Sequence, residues 1–170
     1  MMSSKKIGLI AIFVAVIATA CQVSYSFTGA SISPEVKTVS IEFFPINAAL
    51  APPTSGQLFT EALKDVFISQ TNLVLVKSDG DLNFEGYISN YTNNPVAIQG
   101  NEEAALTRVT MTVNVKFTNT KDEDQSFESS FSRFEDLPAT EDLGTREEEV
   151  LNTINEQLTQ DIFNKAVTNW

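Results

Sequence analysis

The sequence predicts an α+β fold, a two-layer α/β sandwich in which a mixed sheet of four to five strands carries two helices on one face. Three observations predict it. Several segments alternate apolar and polar residues with the period of a strand. Two others place apolar residues at helical spacing, and one of these lies between the first two strands. A length of 170 residues suits a single domain.

Val39, Ile41 and Phe43 alternate with Ser40 and Glu42, and Pro45 closes this first strand. Residues 46–53 read as a loop. Thr54 with Gln57 three places on has capping-box spacing, and Leu58, Phe59, Ala62, Leu63, Val66 and Phe67 then form one apolar helix face. The segment Leu73–Val76 is apolar on both faces, which predicts a central strand. A helix crossover between these strands favours a right-handed parallel pair.

Asp79-Gly80-Asp81 reads as a turn. In a third strand Leu82, Phe84, Gly86 and Ile88 face one way, and Asn83, Glu85, Tyr87 and Ser89 the other. Residues 93–103 read as a long loop that carries Val96 and Ile98 between polar neighbours. The fourth strand is the plainest: Val109, Met111, Val113, Val115 and Phe117 point inward, and Arg108, Thr110, Thr112, Asn114, Lys116 and Thr118 point outward. Lys121-Asp122-Glu123-Asp124 is a charged hairpin turn, and Phe127 and Phe131 mark a fifth strand. In the last helix Thr145 and Glu148 repeat the capping-box spacing, Glu147–Glu149 suit the positive end of the helix dipole, and Val150, Leu151, Ile154, Leu158, Ile162, Ala166 and Trp170 form an apolar stripe.

Composition removes several function classes. The chain has no histidine, so Ser-His-Asp triads, Cys-His pairs and histidine metal sites are excluded. Its single cysteine, Cys21, allows neither an intrachain disulfide nor a thiolate metal cage. With 22 acids against 11 bases the net charge is -11, which repels nucleic-acid phosphates, so no nucleic-acid partner is expected. Carboxylate pairs occur but in no recognisable catalytic motif, so neither an enzyme nor a cofactor is expected. Asp122 and Asp124 lack the glycine and distal glutamate of a calcium loop.

The first twenty residues read as an address. Lys5 and Lys6 precede the uncharged run Ile7–Ala20, which is shorter than the roughly 20 residues a membrane-spanning helix needs and fits a signal peptide. Ala18-Thr19-Ala20 stands directly before Cys21 and resembles a bacterial lipobox, although Ala18 replaces the usual larger apolar residue. Cys21 is therefore the expected lipidation site, with membrane attachment through its acyl chains. Gln22, not Asp, follows it, which leans towards the outer membrane. The expected organisation is a signal peptide over 1–20, a lipidated tether over 21–37, and one domain over 38–170.

Further segments carry a resemblance: Val23-Ser24-Tyr25-Ser26-Phe27-Thr28-Gly29-Ala30 after the lipobox cysteine, Val39-Ser40-Ile41-Glu42-Phe43-Phe44-Pro45, Phe59-Thr60-Glu61-Ala62-Leu63-Lys64-Asp65, Gly80-Asp81-Leu82-Asn83-Phe84-Glu85-Gly86 and Ala97-Ile98-Gln99-Gly100-Asn101-Glu102. In this order they resemble the lipopolysaccharide-assembly lipoprotein family LptE, over nearly the whole chain after Cys21. The resemblance implies a non-enzymatic outer-membrane lipoprotein on the periplasmic side. It would plug and help assemble an LptD-type β-barrel translocon that delivers lipopolysaccharide to the outer leaflet. It also implies that lipopolysaccharide is met by basic residues of the sheet.

Arg108 and Lys116 share the polar face of the fourth strand and are the candidates for that contact. The plainer alternative is a solvated face balanced by Glu85. Val96 and Ile98 are candidates for partner contact, against the alternative of a loop folded over a sheet edge. Phe43, Phe59, Phe67, Phe84, Phe117, Phe127 and Phe131 are expected in the core. Phe44, Tyr87 and Tyr91 fall on the outer side of their strands and with Phe134 are candidates for a contact patch against a barrel wall. A second reading of the whole chain stays open: a lipid-anchored, periplasm-facing binding module for a small apolar ligand or envelope component.

Overall fold

The computed structural model describes residues 32–97, 105–138 and 140–167. The elements are β1 (Thr38–Ile41), α1 (Ser55–Gln70), β2 (Val74–Val76), β3 (Leu82–Ala97), β4 (Ala105–Asn119), a 3-10 turn (Glu123–Gln125), β5 (Phe127–Pro138) and α2 (Leu143–Val167). The strands form one mixed sheet in the order β2-β1-β3-β4-β5. β1 is parallel to β2 and to β3, while β3, β4 and β5 form an antiparallel meander. Both helices pack on the same sheet face, so the architecture is the α+β sandwich that the residue patterns predict. The signal segment, Cys21, Ile98 and Trp170 lie outside the described residues. At the described end of the expected tether, Val36 is buried in the core and Ile32 packs against it.

Burial of the alternating strand residues supplies the core. In β4 Val109, Met111, Val113, Val115 and Phe117 are all buried, as their parity requires. A run of touching rings crosses from the helices into the sheet. Phe163 of α2 meets Phe67 of α1, Phe67 meets Phe84 of β3 at 4.7 Å, and Phe84 meets Phe117 of β4 at 4.7 Å. Phe117 then meets Phe127 of the edge strand β5 at 5.1 Å. Phe127 and Phe131 are only partly buried, and the Lys165 ammonium covers their outer sides at 4.7 and 5.7 Å from the ring centres. The buried side of α2 is broader than its apolar stripe. A neighbouring row at four-residue spacing, Asn155, Thr159, Phe163 and Val167, is buried as well.

Four expectations are corrected. The first concerns the helix starts. Thr54 holds the N-cap position of α1 as expected but makes no side-chain cap bond; the helix opens on a turn in which Ser55 N–H donates to the Pro52 carbonyl. In α2 the cap is Asp142, whose carboxylate accepts from Gly144 N–H at 3.2 Å, so Thr145 sits inside the helix. The second concerns Leu73–Val76. Its strand is the sheet edge, not the centre, and Val74 is 62% exposed. The third concerns the long loop. Asn93–Ala97 continues β3 and pairs with Ala105–Val109, so the hairpin is longer and its connection shorter.

The fourth correction is a swap between neighbours. Phe43 is 61% exposed and Phe44 is fully buried, the reverse of the alternation. The register gives the reason. Ile41 stands beside Phe84 and Ile46 beside Ile88, so five steps along the first chain match four along β3. One residue is surplus and the parity flips, as at a β-bulge. Phe44 N–H then donates to Thr60 Oγ1 of α1 at 3.1 Å, and its ring packs edge-on against Phe59 at 4.9 Å.

The β2–β3 link is also unusual. β2 and β3 flank β1 and all run parallel, yet residues 77–81 alone connect them. The link passes directly over β1 on the face where Ser40 points. A Cβ on Gly80 would lie 2.5 Å from Ser40 N, so only glycine fits there. Gly80 N–H donates to Ser40 Oγ at 3.0 Å, and Ser40 is fully buried beneath the link. The Asp81 carboxylate accepts from Lys37 N–H at 2.8 Å, Thr38 N–H at 3.0 Å and Thr38 Oγ1 at 3.0 Å, and pairs with Lys121 at 3.0 Å. These bonds, led by Lys37 N–H, hold its pKa far below the ordinary carboxylate range.

Candidate functional site

Because both helices cover one face, the other face of β3, β4 and β5 is open. β4 lays out Arg108, Thr110, Thr112, Asn114, Lys116 and Thr118 along its centre. Asn94, Thr92, Asn90, Tyr87 and Glu85 of β3 stand on one side, and Asp136, Phe134, Ser132, Ser130 and Glu128 of β5 on the other. The surface is rich in hydroxyl and amide groups and is studded with ion pairs. Thr112 and Ser132 share a hydrogen bond across the strands at 3.1 Å.

Arg108 is held tightly. Its Nε and Nη2 donate to the two oxygens of Asp136, each at 2.7 Å, and its guanidinium lies 3.8 Å from the centre of the Phe134 ring. The Asp136 bond raises the Arg108 pKa, and Arg108 in turn lowers that of Asp136. Lys116 Nζ donates to Glu85 at 2.6 Å, and this bond raises its pKa, with Glu128 and Glu42 adding to the acidic surroundings. The balance by Glu85 is therefore real. Arg108 and Lys116 share a face but stand eight residues apart on one strand, about 27 Å. They cannot close on a single phosphate; each is a separate position.

The aromatic candidates divide. Tyr87, opposite Asn114, and Phe134, opposite Thr110, are on the open face and exposed. Phe44 is in the core, as described. Tyr91 is buried too, because the β3–β4 register shifts between Ile88 and Asn90. Ser89 is the surplus residue; beyond it Tyr91 stands beside Met111 on the helix-covered face. Its hydroxyl is buried with no hydrogen-bond partner among the described residues, and burial, aided by the charge of Glu147, pushes its pKa up to about 12. Val96 belongs to β3 and stands opposite Leu106 near the hairpin end, half-buried. Ile98 lies in the connection outside the described residues.

Residue patterns did not single out Asp136, which fixes Arg108, or Asp81, which clamps β1. The signal for Asp136 was its even spacing from Phe134 on the strand that pairs with β4. A cleft of about 90 Å³ between β5 and α2 is lined by Glu135, Asp136, Glu141, Arg146 and Glu149. Arg146 is already paired there with Glu141 and Glu149. Among the described residues no three acidic side chains are grouped to hold a metal ion, and no helix is long and apolar enough to cross a membrane.

A mixed sheet with two helices on one face and a polar opposite face on β3, β4 and β5 places the described residues in the two-layer α+β class. The chain belongs to the LptE family, lipopolysaccharide-assembly, whose family model matches residues 36–166. Among solved structures it is similar to the hypothetical protein CT253 from Chlamydia trachomatis, with a TM-score of 0.54 and 9% identity over 79% of this chain and 99% of that one. It is also similar to a putative neuraminyllactose-binding hemagglutinin homolog from Helicobacter pylori, with a TM-score of 0.53 and 13% identity over 84% of this chain and 89% of that one. A minor lipoprotein from Acinetobacter baumannii matches at a TM-score of 0.47 and 15% identity, over 77% and 92% of the two chains. These likenesses concern the fold. Comparison of the sequence with curated proteins found no match.

Proposed function

We propose that this protein is a non-enzymatic outer-membrane lipoprotein, acylated at Cys21, that acts from the periplasmic side as plug and assembly partner of an LptD-type β-barrel. In this role it helps deliver lipopolysaccharide to the outer leaflet. The observation that carries the reading is the family match over residues 36–166, spanning every element from β1 through most of α2. The open face of β3, β4 and β5 supports it, since a flat polar surface edged by Tyr87 and Phe134 suits contact with a barrel wall. Val96, with Ile98 beyond it, sits near the end of the long β3–β4 hairpin, where it can reach into a partner. Lipopolysaccharide is met, in this reading, at Arg108 or Lys116 as single cationic positions.

Depletion of the protein tests the role. Newly made lipopolysaccharide should then fail to reach the cell surface, and affinity purification from detergent-solubilised membranes should retrieve a large barrel in stoichiometric amount. Substituting Val96→Ser with Ile98→Ser should weaken that co-purification. A lone polypeptide with unimpaired lipopolysaccharide export would overturn the proposal. The rival carrier of a small apolar ligand gains nothing from the cleft beside Arg146, whose lining is mostly polar.

A further inference from the structure

The free edge of β2 is unguarded. Sheet edges are ordinarily protected by charge, proline, a bulge or a covering segment. The other free edge, β5, follows that rule: Glu128, Arg133, Glu135 and Asp136 are charged, and Pro138 closes it. Val74-Leu75-Val76 has no charge, proline or bulge of its own, and Val74 and Leu75 are 62% and 37% exposed. Val74 N–H donates to the Lys37 carbonyl at 2.9 Å, so in a parallel ladder the N–H and C=O of Leu75 point to the open side. Ile68 of α1 widens the apolar strip. It is exposed, and Gln70, on the opposite flank of the same turn, bonds Gln160 of α2 at 2.9 Å, so Ile68 turns away from α2 to the β2 side.

Two lysines bracket this edge. Lys37 stands just before β1, level with Leu73, and Lys77 directly follows Val76. These positions are four residues apart along the strand direction, about 13 Å. Both lysines are exposed, and among the described residues neither side chain makes an ion pair or a hydrogen bond, not even with Glu35 or Asp79, the nearest acids in sequence. Every other basic side chain described is engaged, six in ion pairs and Lys165 with Ser129 and two rings. In a chain with 22 acids and 11 bases, the two cations left unengaged stand together at the unguarded edge.

These features select the occupant. Free backbone N–H and C=O groups are met by an extended chain and would go unsatisfied against hydrocarbon, so a strand fits this edge and a lipid interior does not. A second copy would bring its own Lys37 and Lys77 to the contact, cation against cation. We infer that β2 receives an extended acidic segment of a partner protein as an added strand. An apolar side chain of that segment lies beside Leu75 and Ile68, and carboxylates two residues to either side meet Lys37 and Lys77. Lys37 is two strand spacings from the added strand, about 10 Å, within the joint reach of a lysine and a glutamate. The inference goes beyond the proposed role and holds whether or not the open face of β3, β4 and β5 meets a barrel.

A synthetic peptide, Thr-Glu-Thr-Val-Thr-Glu-Thr, and a control with Lys in place of Glu test it by amide hydrogen exchange on the chain from residue 21 onward carrying Cys21→Ser. At millimolar concentration the Glu peptide should slow exchange of the Leu75 amide at least about fivefold and leave the Val113 amide of β4 unchanged, while the Lys peptide changes neither. In Lys37→Glu combined with Lys77→Glu the preference should reverse, and the Lys peptide should protect Leu75. Leu75 exchange unchanged by both peptides, equal protection by both, or a preference that the double variant does not reverse would each overturn the inference. So would a Leu75 amide already protected without peptide, which assigns the edge to the chain itself or a second copy. Protection by phosphatidylglycerol vesicles and not by the Glu peptide would assign it to a lipid surface and overturn it as well.

Discussion

Arg108 and Asp136 stand directly opposite each other on β4 and β5, joined by two hydrogen bonds of 2.7 Å, with the guanidinium resting on Phe134. A cation so engaged has both of its bidentate donors used before any ligand arrives. Removing the acid should release it. In Asp136→Asn, binding of the purified protein to lipopolysaccharide should tighten severalfold, and Arg108→Ala should abolish the gain. Equal affinity in Asp136→Asn and the parent would show that Arg108 is not a lipopolysaccharide contact.

The swap between Phe43 and Phe44 has a stability signature. Phe44→Ala empties a site packed against Phe59 and should cost about 3–5 kcal/mol. Phe43→Ala, at an exposed position, should stay within about 0.5 kcal/mol. Urea denaturation of the two variants separates them, and the reverse order would restore the simple alternation.

Asp81 predicts the acid limb of the stability curve. Its folded pKa is held below that of the unfolded chain by the bonds from Lys37, Thr38 and Lys121. Its contribution is therefore complete above the unfolded value of about 3.9 and is lost as pH falls through the folded value. Asp81→Asn should lower Tm by a few degrees at pH 7, with the gap from the parent narrowing below about pH 4. Thermal melts across pH 3 to 7 read this directly.

Tyr91 predicts the alkaline limb. Its folded pKa of about 12 lies above the ordinary 10.0, so its neutral form is favoured by folding. Stability is full below about pH 10 and falls as pH rises towards 12. Tyr91→Phe should remove that part of the decline. At pH 7 it should be neutral or slightly stabilising, since the hydroxyl it deletes has no partner among the described residues. Denaturation at pH 7 and pH 11 provides the check.

Gly80→Ala should destabilise by about 1–3 kcal/mol, because the added methyl would strike the backbone of Val39 and Ser40, which is enclosed and cannot retreat. A Ser40→Ala variant, which leaves the space unchanged and removes the bond to Gly80 N–H, should cost less. Comparing their urea midpoints separates crowding from hydrogen bonding.

Where strict alternation continues without interruption, as from Arg108 to Thr118, residue parity alone gives the buried face. It fails at Phe43–Phe44 and at Ser89–Tyr91 for one reason. A single surplus residue inverts every side chain beyond it, and its position depends on distant partners such as Thr60 Oγ1 and the β4 register. The segment Leu73–Val76 misleads differently. Its apolar run suits burial on both faces, but the short link over β1 leaves β2 outermost. Capping residues are legible only as a class: Thr145 and Asp142 both fit a helix start, and the chain uses Asp142. For the site, Arg108, Lys116 and Tyr87 face outward as their spacing requires. The carboxylate that occupies Arg108 lies on another strand, beyond the reach of local pattern.

The link that carries Gly80 leaves β1 hemmed in on four sides, with β2 and β3 beside it, α1 above and residues 77–81 beneath. Among the described strands, a tug transmitted along the chain from its amino-terminal side would reach this one first. Pulled lengthwise, its ladders to both neighbours resist together in shear instead of unzipping bond by bond, and the belt across its back must be unbuckled before it can slide. The module is therefore stiffest at the point where a tether would strain it.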